Sequence, residues 1–138
     1  MKSALSLAAC SALLLVSAAV AGPPPVDVNP PHVNFGSNPY ESNTKRSFTV
    51  TNRGSESVMV SIEQVSVGDD FSPGQIESTC PLTDSSMLEP GQSCTHVVGF
   101  RPSPFFGGHE SALMRVVVRD MASNVIYTRD IKLTGRGY

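Results

Sequence analysis

The sequence lacks the short motifs by which many enzymes and cofactor-binding proteins are recognised. Its 138 residues contain no G-x-S-x-G nucleophile elbow, no phosphate-cradling glycine loop and no H-E-x-x-H zinc motif. Asp69 and Asp70 are adjacent but lack the spacing of an EF-hand calcium loop. No methionine lies two or three residues from a histidine, the spacing we would look for in a copper site. We therefore expect no enzyme activity, no metal site and no cofactor.

The sequence also has little net charge. Lys and Arg total 10 and Asp and Glu total 12, so the formal net charge is −2. Such a value argues against a nucleic-acid partner, because no excess of cations is available to track phosphates. The charges are unevenly divided: residues 22–100 carry three basic and nine acidic side chains, and residues 101–138 carry six and three. This bias either orients two copies or a partner, or arises by chance.

One long apolar run is present, and it lies at the N-terminus. Met1-Lys2 precedes an apolar stretch from Leu5 to Val20, which ends in the small-x-small pattern Ala19-Val20-Ala21. This order predicts a signal peptide over residues 1–21. The run is short for the roughly 30 Å of a bilayer core, which disfavours its being a transmembrane anchor. We expect it to be removed and the remaining chain to have no transmembrane anchor. A lipoprotein site at Cys10 is disfavoured because most of the apolar run follows that cysteine. We expect an exported protein, periplasmic or extracellular.

Cysteine is scarce, and its number agrees with export. Cys10 is removed with the signal peptide, which leaves Cys80 and Cys94 as an even pair. In an oxidising compartment such a pair predicts a disulfide, which for a loop of this length stabilises by roughly 3 kcal/mol. A metal site is the rival interpretation. It is disfavoured because there is no C-x-x-C and the three histidines lie far apart in the sequence.

The mature chain shows no helical period, and its apolar residues alternate as in half-buried strands. Thr44 to Asn52 places Phe48 and Val50 on one face, and Glu110 to Arg119 alternates over the longest stretch. Turn residues separate such segments. This pattern predicts an all-β fold, a single β-sandwich of seven to eight strands over residues 32–138 with one disulfide. A proline-rich lead-in precedes it over residues 22–31.

Three local features make sharper predictions. Gly36 is expected to end the second strand. Past Gln64 the apolar phase shifts towards Val67, which predicts a β-bulge or a strand crossing between sheets. A looser stretch rich in Pro, Gly, Ser and Asp follows, and within it Phe71 and Ile76 are the predicted anchors into the core.

A family resemblance rests on motifs spread over about residues 26–137. They are Pro31-His32-Val33-Asn34-Phe35-Gly36, Phe48-Thr49-Val50-Thr51-Asn52-Arg53-Gly54, Leu88-Glu89-Pro90-Gly91-Gln92-Ser93-Cys94, Phe100-Arg101-Pro102 and Leu133-Thr134-Gly135-Arg136-Gly137. The chain resembles the ASH (abnormal-spindle/hydin) class of immunoglobulin-like domains, of the bacterial choice-of-anchor D type. The resemblance implies a sandwich related to major sperm protein and pilus-chaperone domains. It implies a scaffold or binding role and brings no catalytic residue with it.

The sequence departs from that pattern in two places. His96 stands where an apolar inward residue is expected, and we interpret it as a partly buried imidazole bonded to a backbone carbonyl. Phe105-Phe106 is a bulky insertion before two glycines. Either both rings cover the end of the sandwich, which is the preferred interpretation, or one ring enters the core and the other is exposed and forms a binding spot at the tip of the loop.

The function that these features favour is a noncatalytic interaction module of the cell envelope or exterior. Its expected partner is a protein, with a glycan as the alternative. Val26-Asp27-Val28 and Val125-Ile126-Tyr127 are the candidate sheet edges for pairing with a partner strand. A pilus-assembly component, either a subunit or a chaperone-like domain that uses strand addition, is the alternative function. A two-domain chaperone would need a second such domain, and a subunit would need a donor strand that the proline-rich lead-in does not resemble.

Overall fold

The computed structural model describes residues 22–66 and 68–138, which fold as two packed β-sheets without a helix. The predicted signal peptide and Val67 lie outside the described residues. In the described part no helix is long and apolar enough to cross a membrane. The strands are β1 (Val26–Asn29), β2 (His32–Asn38), β3 (Thr44–Asn52), β4 (Val58–Ser66), β5 (Phe71–Pro73), β6 (Ser85–Leu88), β7 (Ser93–Phe100), β8 (His109–Arg119) and β9 (Val125–Gly137).

The strands form two sheets that face each other. Sheet one has the order β1-β3-β7-β5 and sheet two the order β2-β9-β8-β4-β6. Neighbours are antiparallel except β2 and β9, which are parallel. The all-β sandwich with its disulfide is therefore confirmed. Nine strands are described instead of seven to eight, because the stretch predicted to be loose contains β5 and β6. Strands of three and four residues are too short to reveal an alternation in the sequence.

The core lies between the sheets and is built from the alternating apolar positions. An aromatic group occupies one part of it: Phe71 and Phe100 have ring centroids 4.8 Å apart, and Phe35 lies 5.6 and 5.4 Å from them. Phe71 is thus a core anchor, as predicted. The same prediction for Ile76 is wrong, because Ile76 is fully exposed. It lies in the turn after β5, which directs its side chain away from both sheets.

Two irregularities in the strands follow from local sequence. The pairing of β4 with β8 shifts register between Gln64 and Ser66, which confirms the predicted bulge. The expectation that Gly36 ends β2 is wrong. Gly36 has a φ of 70° and lies within a register shift between Asn34 and Ser37, after which β2 continues to Asn38. Glycine permits this left-handed backbone, so the strand bends at Gly36 without stopping.

The disulfide fastens the segment between β5 and β6 to sheet one. Cys80 is bonded to Cys94 of β7, and both side chains are buried. The backbone N–H of Thr79 and that of Cys80 both donate to the carbonyl oxygen of Thr95, at 2.8 and 3.2 Å. A segment with little regular structure is thereby held against the sheet by covalent and hydrogen bonds together.

Candidate functional site

Four aromatic side chains are exposed in the described part of the chain, and all four lie at one end of the sandwich. They are Tyr40, Phe105, Phe106 and Tyr138, with exposed fractions of 37%, 89%, 57% and 63%. The remaining aromatic side chains are buried in the core, except Tyr127, which packs against it. We call the four residues the aromatic end. Exposed aromatic residues gathered on one part of a surface often mark a binding site.

Hydrogen bonds between distant segments assemble this end. The backbone N–H of Tyr40 donates to the carbonyl oxygen of Tyr138 at 2.9 Å. The N–H of Tyr138 donates in turn to the carbonyl oxygen of Asn38 at 3.1 Å. Gly107 leaves space for the Tyr40 hydroxyl, which a Cβ atom at that position would overlap. The loop between β7 and β8 therefore lies directly against Tyr40.

Phe105 and Phe106 project from that loop into solvent. The interpretation that both rings cover the end of the sandwich is wrong, and so is the interpretation that one of them enters the core. Pro102 is buried there instead, and a Cβ on Gly137 would lie 2.6 Å from the Pro102 Cβ. The space that the rings were expected to fill is thus already occupied. Whether they form a binding loop stays a prediction.

The loop is held in place by Asp70. The carboxylate Oδ2 of Asp70 accepts from the backbone N–H of Ser103 at 3.1 Å, and its carbonyl oxygen accepts from the N–H of Arg101 at 2.8 Å. The N–H groups of Phe105 and Phe106 then bond to the Ser103 hydroxyl and carbonyl oxygens, at 3.2 and 3.3 Å. This chain of bonds gives the two exposed rings a defined support.

Three carboxylate side chains share a surface pocket with Phe106. A surface pocket of about 340 Å³ is lined by Phe106, Glu41, Asp69, Asp70 and Arg101 together with Ser72 and Ser103. Glu41 forms an ion pair with Arg101, whereas Asp69 is exposed and Asp70 is buried. Among the described residues, no group of three or more His, Cys, Asp or Glu side chains is arranged to hold a metal ion.

The carboxyl group of Glu110 is affected by the charges of Asp69 and Asp70. Its pKa is raised above the ordinary glutamate value, first by burial and then by the charges of Asp70 and Asp69. The charges of Asp69 and Asp70, which line the pocket, therefore contribute to disfavouring negative charge at Glu110.

A second feature is an open edge on sheet two. Strand β9 pairs with β8 from Val125 onwards, but its pairing with β2 begins only at Lys132. Among the described strands, none pairs with the other side of residues 125–130. We call these residues the open edge of β9. Pro30 and Pro31 explain it, because they separate β2 from β1, which lies in sheet one.

Both segments predicted to lie at sheet edges do so. Strand β1 is an outer strand of sheet one, and its Val26 and Val28 side chains are buried in the core. Val125 and Ile126 at the open edge of β9 are exposed. The open edge of β9 therefore combines accessible backbone groups with accessible apolar side chains.

His96 belongs to the core and is inaccessible to a ligand. Its side chain is fully buried, and Nδ1–H donates to the carbonyl oxygen of Cys80 at 2.8 Å. The predicted hydrogen bond of His96 to a backbone carbonyl is confirmed, but the imidazole is fully buried and not partly buried as predicted. Its Nε2 is buried without a hydrogen-bond partner among the described residues.

The chain is similar to known proteins in its fold, whereas its sequence has no match. No family model and no curated protein matches the sequence. Among solved structures, the fold is similar to the ASH/PapD-like domain 7 of human CEP192, with a TM-score of 0.68 and 13% identity over 100% of this chain and 97% of that one. The E. coli chaperone DraB matches with a TM-score of 0.57 and 14% identity over 81% of this chain, which spans 54% of the chaperone.

A protease of Vibrio cholerae, VesB, matches with a TM-score of 0.64 and 16% identity over 81% of this chain. The match spans 32% of the protease chain. At such low identities these likenesses describe the fold alone. The chain has the immunoglobulin-like sandwich fold of ASH and PapD-like domains.

Proposed function

We propose that the mature chain is a noncatalytic protein-binding module, exported to the periplasm or the cell exterior, that pairs with a strand of its partner at the open edge of β9. The observation that carries this proposal is the free side of residues 125–130. Unpaired N–H and C=O groups on an edge strand are ready to bond an added strand.

The composition of this edge supports the proposal. Its sequence, Val-Ile-Tyr-Thr-Arg-Asp, begins with four residues of high strand propensity and contains neither proline nor lysine. Proline and lysine are residues with which proteins commonly protect edge strands from unwanted pairing. Export is supported by the signal-peptide pattern of residues 1–21 and by the disulfide.

The test is affinity capture from the native cell envelope, followed by hydrogen exchange of the purified complex. We expect the captured protein to protect the backbone amides of residues 125–130. Ile126→Lys should weaken the complex about tenfold, because a charged side chain at the edge opposes the added strand. Met121→Lys is the matched control, since Met121 is also exposed but lies in the β8–β9 turn. Unchanged exchange at 125–130 in the complex would reject the proposal.

A role in pilus assembly is the second candidate function. It is favoured by the fold likeness to the chaperone DraB together with the open edge of β9. Measuring the native mass of the purified chain separates its two forms. A stable monomer argues against the subunit form, whereas strand-exchanged oligomers argue for it.

A further inference from the structure

The aromatic end exposes large apolar rings to solvent. The exposed Phe105 and Phe106 rings have no polar atom with which to interact with water. The other aromatic residues of the described chain, apart from Tyr40 and Tyr138, are buried or packed against the core. An adjacent exposed pair on a loop tip is the arrangement expected of side chains that become buried against a partner.

The rings stand on a loop that is ordered before any partner arrives. The bonds from Asp70 to the backbones of Arg101 and Ser103, and from Ser103 to those of the two phenylalanines, fix its path. Ordering a loop during binding costs conformational entropy, and a loop that is already fixed avoids much of that cost.

The charges around the rings select the chemistry of the partner. Asp69 and Asp70 line the pocket beside Phe106, and Arg101, the cation among its lining residues, already pairs with Glu41. The pKa of nearby Glu110 is raised, first by burial and then by repulsion from the charges of Asp70 and Asp69. A phosphate or an anionic lipid headgroup would add to this repulsion, and a guanidinium or ammonium group would reduce it.

We propose that the aromatic end docks an arginine- or lysine-bearing segment of a partner protein, with the cationic group placed between Phe106 and the carboxylates of Asp69 and Asp70. A cation over an aromatic ring is attracted by the negative face of the ring, and a carboxylate accepts its hydrogen bonds. The pocket of about 340 Å³ beside Phe106 is large enough for such a head group. This surface is independent of the open edge of β9, since β8 and β9 run from one to the other along their whole length.

The test uses three synthetic peptides that alternate leucine with arginine, glutamine or glutamate, titrated into the ¹⁵N-labelled exported chain. We expect saturable shifts of the amides of residues 101–110 and 69–70 with the arginine peptide. Phe106→Ser and Asp69→Asn should each weaken binding at least fivefold. Ile126→Ser is the matched control, since it removes an exposed apolar side chain at the other end. The Ile126→Lys variant, which tests the strand-addition proposal, should bind the arginine peptide as the wild-type chain does. The two proposals can therefore fail independently of each other.

Several outcomes would overturn the proposal. One is equal binding of the glutamine peptide, which would show that the carboxylates do not select charge. Another is equal shifts beside Glu56 and Glu89, acidic residues of the opposite end, which would indicate general attraction. Binding of chitohexaose, or of phosphatidylglycerol vesicles, through Phe105 and Phe106 in place of the arginine peptide would assign the surface to a glycan or a membrane. Unchanged affinity of Phe106→Ser would also reject it.

Discussion

The imidazole of His96 replaces an apolar side chain in the core, and its environment fixes its protonation state. Its ring centroid lies 5.5 Å from that of Phe48, and its Nδ1–H donates to the Cys80 carbonyl. Burial lowers the pKa of His96 more than the hydrogen bond to Cys80 raises it. The native state therefore holds the imidazole neutral.

This lowered pKa predicts how stability depends on pH. As the pH falls below about 6.5, the unfolded chain takes up a proton at position 96 that the native state resists. The free energy of unfolding should thus be fully maintained above pH 6.5 and decline as the pH falls to 5, with a slope of up to about 1.4 kcal/mol per pH unit. Urea unfolding at a series of pH values measures it. His96→Val should flatten the profile, and an identical slope in that variant would contradict the assignment.

Gly135 gives a physical reason for one glycine of the closing Leu133–Gly137 motif. A Cβ atom at this position would lie 2.6 Å from the Cε1 and Cζ atoms of Phe100, a fully buried ring. Gly135→Ala should therefore destabilise the protein by about 1–3 kcal/mol through overpacking. Thermal and urea unfolding measure this loss.

The control for that substitution is Gly54→Ala. The nearest heavy atom to a Cβ there is 3.4 Å away, the Asn52 side-chain oxygen, and Gly54 has no positive φ. Its effect should be much smaller. Equal losses from the two substitutions would show that the backbone, and not the Phe100 contact, sets the requirement for glycine.

At the scale of elements, the long strands follow from the sequence and the short ones do not. β3, β7 and β8 are eight or more residues long, and alternating apolar residues within each of them allowed their inward faces to be predicted. β5 and β6 form because neighbouring strands offer them partners: β5 pairs with the end of β7, and β6 pairs with the start of β4. Pairing of this kind depends on distant residues, and no local pattern reports it.

The disulfide predicts the behaviour of one element, the segment over residues 74–84. Replacing both cysteines, as Cys80→Ala/Cys94→Ala, should lower the free energy of unfolding by roughly 3 kcal/mol in the chain-entropy model. Backbone amides of this segment should also exchange faster, because its remaining anchors are hydrogen bonds to β7 and β4 and the exposed ion pair of Glu77 with Lys45. Calorimetry and hydrogen exchange measure both effects. Adding a reductant to wild type should reproduce them, and adding it to the double variant should change nothing.

For the whole molecule, the sheet topology determines where the charged side chains lie on the surface, which their number in the sequence does not reveal. β8 and β9 are neighbours in sheet two, and their Arg115, Arg119, Lys132 and Arg136 occupy the strand phase opposite to the buried Val116, Val118, Ile131 and Leu133. Four of the six basic residues of 101–138 thus lie on one outer face, where Arg115 pairs with Asp130. The acidic groups near Phe106 belong to a different part of the surface.

The shared core predicts cooperative folding. Because both sheets contribute to one hydrophobic cluster, unfolding should be a single transition. The strand pairs of the sandwich join segments far apart in the chain, so we expect refolding in milliseconds to seconds. Stopped-flow circular dichroism and tyrosine fluorescence should give coincident rates. Separate transitions for the two probes would show that the sheets unfold independently.

The sequence by itself determined the strand period, the turns, the pairing of two cysteines and the inward phase of the long strands, because each of these is set by residues near one another. Tertiary structure alone decided that Ile76 is exposed, that Pro102 closes the end where Phe105 and Phe106 were expected, and that β9 keeps a free side. The reason is common to all three. Exposure and pairing depend on which distant segment fills the adjacent space, and a local pattern contains no information about that segment.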